Sequence, residues 1–328
     1  AQMAVDEINA KGGVGGVKLK FVMLDDAHKP ENVNSNYTTM LEAGMQLSLG
    51  CVTSAPCLEF KSLSKEDNLF FLTPSATTDP VVEFDNAYQM CFADANQGKV
   101  AAKYVNENYA GKTIGMLYRS DDPYSTGIRE TFLATLDSSI KVTEASFSGD
   151  VVASFASQIN ILKTCDFVFM PIYSAPAAQF MSEGKNEMPA KAVYYGCDGL
   201  DGIDTSVENF DINSIPQEVS FLSHFNSKST EGASGEFIKK YVETYGQASL
   251  NQFGASAYDC IYALAAALEK AGNKISITSS PSEVCEALKA VFQSDDFSFT
   301  GVTGTNIKWD KTGFVVKDAL KYVVKAAN

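Results

Sequence analysis

Residues 113–136 read TIGMLYRSDDPYSTGIRETFLATL, and this stretch decides the class of fold. Residues 113–118 are mostly apolar, as in a buried strand, and a polar turn follows them. Apolar side chains then recur at helical spacing from Tyr124 to Leu136. The stretch therefore predicts one strand followed directly by one helix.

The same alternation continues outward along the chain in both directions. Further strands are predicted at 17–24, 50–52, 69–72, 141–145, 167–172 and 192–195, and helices at 1–11, 30–47, 54–67, 97–109, 154–162 and 175–183. A strand and a helix in about every 25 to 30 residues favour parallel sheets covered by helices on both faces. After residue 216 the pattern changes to a strand at 219–222, helices at 232–245, 254–271 and 281–291, and hairpin strands over 297–324.

Length, composition and charge restrict the class of protein. The chain has 328 residues, about twice the length of one compact domain, so two lobes are expected. Its longest apolar runs, such as Phe167–Ile172, are too short to predict a membrane-spanning segment. Acidic residues outnumber basic ones by 40 to 26, and no basic stripe interrupts the net charge of −14. This charge argues against a nucleic-acid partner.

The cysteines and histidines do not predict a metal site. Seven cysteines occur without CxxC spacing, and the chain contains only two histidines. Several cysteines lie in apolar stretches, which favours buried thiols. A disulfide remains possible for an exported protein, but no pairing follows from the sequence.

Ligands of open parallel sheets bind beyond the carboxyl ends of the strands, so the residues that follow each strand are the candidates. Hydroxyl groups follow two early strands, and tyrosines and an aspartate follow three later ones: Ser54, Ser75, Thr77, Tyr124, Tyr173 and Asp198. Hydroxyls and helix amides suit a carboxylate, whereas phenol and carboxylate oxygens suit an ammonium. The set therefore predicts a site for a zwitterion, with helix capping as the alternative role of the serines and the threonine.

Signatures of an enzyme are missing from the sequence. Neither GxxxxGK[ST] nor GxSxG occurs, and the glycines at 12–16 lie after a helix rather than before one. His28 and His224 have no nucleophile beside them in a recognisable arrangement. Asp25 and Asp26 could form a metal pair, but a solvent-facing strand end is favoured. We therefore predict no catalytic residue, no metal ligand and no cofactor.

Six segments resemble one family, and they occur in its order. They are residues 1–16, Asp25-Asp26, Pro74–Pro80, 92–102, 195–202 and 258–265. Together they resemble the type I periplasmic-binding-protein superfamily, specifically the branched-chain amino-acid binding proteins of ABC importers. Members of that family normally begin with a further strand and loop, so we expect such a segment before residue 1.

The resemblance implies an α/β protein with two doubly wound parallel-sheet lobes joined by a multi-strand hinge. The lobes are expected at 1–120 with 251–305 and at 121–250 with 306–328. Ser54, Ser75 and Thr77 match the residues that hold the ligand's α-carboxylate. Tyr124 and Tyr173 match aromatic residues of the second lobe, and Asp198 matches the acidic residue that receives the α-ammonium.

The function implied is capture of an apolar, branched-chain type of amino acid between the lobes, outside the cytoplasmic membrane. Delivery to an ABC permease follows, without catalysis, and the protein is expected to be a monomer in the periplasm or a cell-surface lipoprotein. A receptor ectodomain or an amide-responsive regulator of the same fold is the alternative.

Overall fold

The structure is a computed structural model that describes residues 1–327. Its helices are α1 (Gln2–Ala10), α2 (Pro30–Glu42), α3 (Ser54–Glu66), α4 (Asp94–Asn108), α5 (Pro123–Thr135), α6 (Ala156–Leu162), α7 (Ser174–Gly184), α8 (Gly232–Tyr245), α9 (Gln252–Ala271) and α10 (Pro281–Phe292). Its strands are β1 (Phe71–Thr73), β2 (Ala87–Gln89), β3 (Ile114–Arg119), β4 (Val142–Phe147), β5 (Phe167–Met170), β6 (Val193–Gly196), β7 (Glu218–Ser223) and β8 (Leu320–Lys325). Among these residues, no helix combines the length and the apolar character needed to cross a bilayer.

The chain divides into two compact units. The first comprises residues 1–93, 225–238 and 253–318, and the second comprises 94–224, 239–252 and 319–327. This division differs from the predicted boundary at 120 because α4 packs closely against α5 within the second unit. A Cβ atom at Gly98 of α4 would lie 2.7 Å from the Ile128 carbonyl oxygen and 2.8 Å from the Phe132 amide nitrogen. Only glycine fits this contact between the two helices.

A six-stranded sheet forms the centre of the second unit, in the order β4-β3-β5-β6-β7-β8. The neighbouring strands from β4 to β7 pair in parallel, and β8 pairs antiparallel with β7. Phe167 and Phe169 of β5 pack in the core that includes α4 and α5, whereas Val168 and Met170 pack in the core that includes α6 and α7. Buried side chains on both faces confirm the predicted doubly wound α/β architecture.

The first unit contains a shorter described sheet and several apolar cores. β1 pairs in parallel with β2, and Ser48 makes an isolated parallel bridge to Phe71. One core joins β1 and β2 to α9 and α10 through residues such as Leu264 and Phe292. A second core joins α2 and α3 and includes Tyr37, and a third packs α1 against α9.

Three predictions of strands, at 17–24, 50–52 and 297–324, differ from the structure. Residues 50–52 form no strand, and the β-pairing nearest to them within residues 1–327 is the isolated bridge of Ser48 to Phe71. Residues 17–24 carry the sequence pattern of a strand, but their only β-pairing within residues 1–327 is the bridge of Val17 to Val14. A strand needs a neighbouring strand to take its backbone hydrogen bonds, and these residues have none beyond that bridge. Met23, which is 78% exposed, is accordingly not covered by the core. Over 297–324, hairpin pairing is reduced to two isolated bridges, and residues 320–325 instead join the sheet of the second unit as β8.

All seven cysteines are buried, as the sequence predicted, and none forms a disulfide within the described chain. Burial disfavours the thiolate and therefore raises the pKa of six of these thiols, those of Cys51, Cys57, Cys165, Cys197, Cys260 and Cys285. For the enclosed thiols of Cys197 and Cys260, the pKa lies well above its ordinary value. The cysteines thus act as small apolar residues of the core.

A buried charge pair lies in the first unit. The carboxylate of Asp259 in α9 accepts hydrogen bonds from the backbone amides of Val302 and Thr303 and from the Thr303 hydroxyl. The same hydroxyl oxygen accepts a 2.6 Å hydrogen bond from Lys317 Nζ. Burial raises the pKa of Asp259 and lowers that of Lys317 to about 8, so desolvation outweighs their mutual attraction.

We predict a stability difference that depends on pH for Lys317→Met. Folded Lys317 releases its proton at about pH 8 and the unfolded residue near 10.5, so the unfolded state binds more protons in this interval. Stability of the wild type should therefore rise relative to the variant, by up to about 3 kcal/mol, as the pH increases from 7.5 to 10. Chemical denaturation at the two pH values measures this difference. Lys311→Met, at an exposed lysine, serves as the control, and equal changes in both variants would contradict the prediction.

Candidate functional site

The second unit buries a carboxylate where β6 ends. Asp198 begins a short 3-10 turn after Cys197, and only 2% of its surface is exposed. Its Oδ1 atom accepts hydrogen bonds from Gln97 Nε2 at 2.8 Å and from the Tyr124 hydroxyl at 2.9 Å. Its Oδ2 atom accepts a longer one, 3.4 Å, from Gln252 Nε2. These three side-chain donors to the buried carboxylate are all uncharged groups.

The charge of Asp198 is therefore only partly compensated. Burial raises the pKa of Asp198 to about 6, while the hydrogen bonds from Gln97 and Tyr124 oppose that rise. Asp201, three residues later, is also buried, and its Oδ2 accepts from the backbone amide of Gln252 at 3.0 Å. Burial, together with the nearby charge of Asp198, raises the pKa of Asp201 to about 7. Two acidic groups thus share a region that favours a cation.

Tyr124 fixes the turn that carries Asp198. It lies in the first turn of α5, where the Asp122 side chain accepts a hydrogen bond from its backbone amide. The Tyr124 hydroxyl also accepts from the Gly199 amide at 2.9 Å. A Cβ atom at Gly199 would lie 2.7 Å from that hydroxyl oxygen, so the close approach requires glycine. The ring of Tyr173 stacks on that of Tyr124 with centroids 4.8 Å apart.

The structure therefore brings Tyr124, Tyr173 and Asp198 together, as their positions after three strands predicted. It adds Gln97, which sequence reasoning missed as a site residue. Gln97 both donates to the Asp198 carboxylate and accepts a 3.0 Å hydrogen bond from the Asp198 backbone amide. Gln252 was missed as well. Both glutamines lie on helices rather than at strand ends, and the sequence carries no signal of their burial.

The first unit brings the predicted hydroxyl groups to adjacent segments. Ser54 begins α3, and its hydroxyl accepts a 3.3 Å hydrogen bond from the Thr78 amide instead of capping its own helix. The Ser75 hydroxyl donates to the Val52 carbonyl at 2.7 Å. Thr77 is fully buried, and its hydroxyl has no hydrogen-bond partner within residues 1–327. A buried hydroxyl without a partner is costly, and a bound ligand would satisfy it.

Three other candidates from the sequence, Asp25, Asp26 and His28, make contacts within the turn at 25–28 and with Thr53. The side chains of Asp25 and Asp26 accept hydrogen bonds from the amides of the turn that follows them. His28 Nδ1 lies 2.8 Å from the Thr53 hydroxyl oxygen. Among residues 1–327, no three His, Cys, Asp or Glu side chains are grouped as metal ligands would be.

The fold is that of the type I periplasmic binding proteins, as the resemblance predicted. The model of the periplasmic binding protein family matches residues 1–327, and the chain belongs to this family.

Curated relatives are named for amino acids. A Leu/Ile/Val-binding protein of Rhizobium johnstonii is 27% identical over 280 residues, which are 83% of this chain and 74% of that protein. A leucine-, isoleucine-, valine-, threonine- and alanine-binding protein of Pseudomonas aeruginosa is 27% identical over 326 residues, which are 96% of this chain and 82% of that protein.

Solved structures share the fold with ligands of two chemical classes. The branched-chain amino-acid transporter substrate-binding protein LivJ of Streptococcus pneumoniae, in complex with isoleucine, is 22% identical with a TM-score of 0.83. The match covers 100% of this chain and 92% of that one. A solute-binding protein of Rhodopseudomonas palustris in complex with benzoate is 17% identical with a TM-score of 0.78, over 98% of this chain and 88% of that one.

We predict that Asp198→Asn stabilises the ligand-free protein at neutral pH. The folded pKa of Asp198, about 6, lies above its ordinary value of 3.8, so its contribution to stability is lost as the pH rises from about 4 to above 6. Asparagine stays neutral, and the variant should be more stable than the wild type at pH 7.5 by up to about 3 kcal/mol. Denaturant titration at pH 4 and pH 7.5 measures the difference.

Glu208→Gln, at an exposed acidic residue of the same unit, is the control for this comparison. If Asp198→Asn instead destabilises the ligand-free chain at pH 7.5, the aspartate serves the turn rather than a ligand.

Proposed function

We propose that this chain captures an amino acid outside the cytoplasmic membrane and delivers it to an ABC permease, without catalysing a reaction. The names of its curated relatives support this class of ligand. The observation that carries the proposal is the buried carboxylate of Asp198, which uncharged donors surround. A buried charge of this kind becomes favourable when a cation pairs with it.

The proposal assigns the two charged ends of the ligand to two sets of residues. Ser54, Ser75 and Thr77 would bind the α-carboxylate, and the unpartnered Thr77 hydroxyl supports this role. Asp198 would receive the α-ammonium. Tyr124 would hold Asp198 in place, and Tyr173, stacked on Tyr124, would contribute an aromatic surface.

An aromatic carboxylic acid, the ligand class of some structural neighbours, fits this arrangement less well. Benzoate has a carboxylate but no ammonium, so it would leave the charge of Asp198 buried without a cation. An uncompensated buried charge costs several kcal/mol. A sensor of the same fold is the alternative function, and it would bind the ligand by the same chemistry. Reconstituted uptake of the amino acid with a permease distinguishes transport from sensing.

We predict that both charged ends of the ligand are required. Calorimetry with the common amino acids identifies the ligands, and the preferred ligand is then compared with its amide and with its deaminated acid. Both analogues should bind much more weakly. The amide lacks the carboxylate proposed for the hydroxyl groups, and the deaminated acid lacks the ammonium proposed for Asp198, so each leaves buried polar groups without a partner. Tight binding of the deaminated acid would instead indicate a receptor for carboxylic acids, and recovery of the ligand unchanged would confirm that no reaction occurs.

We further predict that affinity depends on the ionisation of Asp198. The ligand-free carboxyl group has a pKa of about 6, and only its ionised form attracts an ammonium. Affinity should therefore decrease as the pH falls below about 6, and binding near that pH should release a proton. Calorimetry in buffers of different ionisation enthalpy measures the protons released.

Comparing the wild type with Asp198→Asn separates the pH dependence of affinity that comes from Asp198 from any that comes from Asp201, because both proteins retain Asp201. Loss of the charged partner should weaken binding by about 30-fold to several thousand-fold, which corresponds to about 2–5 kcal/mol. The remaining affinity should lose most of its dependence on pH. A variant that binds within threefold of the wild type would exclude Asp198 as the ammonium-binding residue.

A further inference from the structure

The two carboxylate oxygens of Asp198 have different surroundings. Oδ1 accepts two hydrogen bonds of ordinary length, from Gln97 and Tyr124. Oδ2 accepts one long hydrogen bond of 3.4 Å, from Gln252 Nε2. Since a carboxylate oxygen can accept at least two hydrogen bonds, Oδ2 is the atom that retains capacity for a ligand.

Gln252 presents a second acceptor beside that atom. Its side chain is fully buried, and its Oε1 atom has no hydrogen-bond partner within residues 1–327. The contact of its Nε2 atom with Asp198 sets the orientation of the carboxamide, because the reversed orientation would place two acceptor oxygens together. Its backbone amide is bound to Asp201, which holds the residue in place.

We propose that Gln252 is a second ammonium-binding residue, whose Oε1 atom accepts one N–H of the ligand while Asp198 Oδ2 accepts another. The proposal rests on the proposed function and deepens it. It explains why a buried amide oxygen lacks a partner in the ligand-free chain, where an unsatisfied buried acceptor is destabilising. Both acceptors belong to the second unit.

Two acceptors for one nitrogen define the class of ligand more closely. A primary ammonium has three N–H groups and can donate to both oxygens. A dimethylated nitrogen has one N–H and can donate to only one of them. The site should therefore prefer primary α-amino acids to their N,N-dimethyl derivatives, beyond the preference for a positive charge alone.

The test combines a change in the protein with a change in the ligand. Calorimetry measures the affinity of the wild type and of Gln252→Met for L-leucine and for N,N-dimethyl-L-leucine. Methionine keeps the length of the side chain but lacks the acceptor. The variant should bind L-leucine 10- to 100-fold more weakly, the change expected when one hydrogen bond to a charged group is lost. The loss caused by dimethylation should then be about tenfold smaller in the variant than in the wild type.

Two further variants make the result specific. Gln217→Met removes another buried glutamine of the same unit, which also has an unpartnered Oε1 and whose Nε2 donates to backbone carbonyls. Its affinity for L-leucine should equal that of the wild type. Gln252→Glu retains acceptor oxygens and should bind L-leucine more tightly than Gln252→Met at pH 8.

The outcomes separate this inference from the proposed function. If the wild type binds no common amino acid, both are wrong. If the wild type binds L-leucine and Gln252→Met binds it within twofold, the role of Gln252 alone is wrong. If Gln252→Met weakens both ligands by the same factor, Gln252 only positions Asp198, and its role as an ammonium-binding residue is also wrong.

Discussion

The arrangement around the end of β6 depends on burying one carboxylate, that of Asp198, whose side-chain hydrogen-bond donors within residues 1–327 are uncharged. The parallel sheet delivers the aspartate to a strand end, and α4, α5 and α9 each supply an uncharged donor to it. Gly199 is required because Tyr124 must approach the turn closely enough to hold it. Under the proposed function, these features keep an anion in a buried region where the ammonium group of a ligand would pair with it.

The sequence predicted the fold well where local pattern and tertiary packing agree. Strands β3 and β5 are apolar runs followed by helices, and each lies buried between two layers as that pattern indicates. Residues 17–24 have the same pattern, but pattern alone cannot supply the neighbouring backbone that a strand requires. The prediction for residues 320–325 was wrong for a related reason. Their alternating pattern fits a hairpin strand, but in the structure they pair with β7, which is distant along the chain.

The strand-end rule selected three residues that the structure brings together in the second unit, because the rule depends only on where strands stop. Tyr124, Tyr173 and Asp198 could be selected in this way, and the structure places them in contact or in one hydrogen-bonded group. Gln97 and Gln252 could not, since they approach Asp198 from helices that lie 101 and 54 residues away along the chain. Polar residues in helices are usually exposed, so burial of these two became visible only in three dimensions.

The buried thiols have a consequence for the durability of the fold. Oxidants and alkylating reagents react with thiolates, and the folded chain keeps its cysteines covered and protonated. Unfolding would expose seven thiols of ordinary acidity at once, and in an oxidising solution they could then form disulfides that the native core has no room for. Such a chain tolerates an oxidising environment for as long as it remains folded, and its lifetime there is governed by the rate of unfolding rather than by the equilibrium stability.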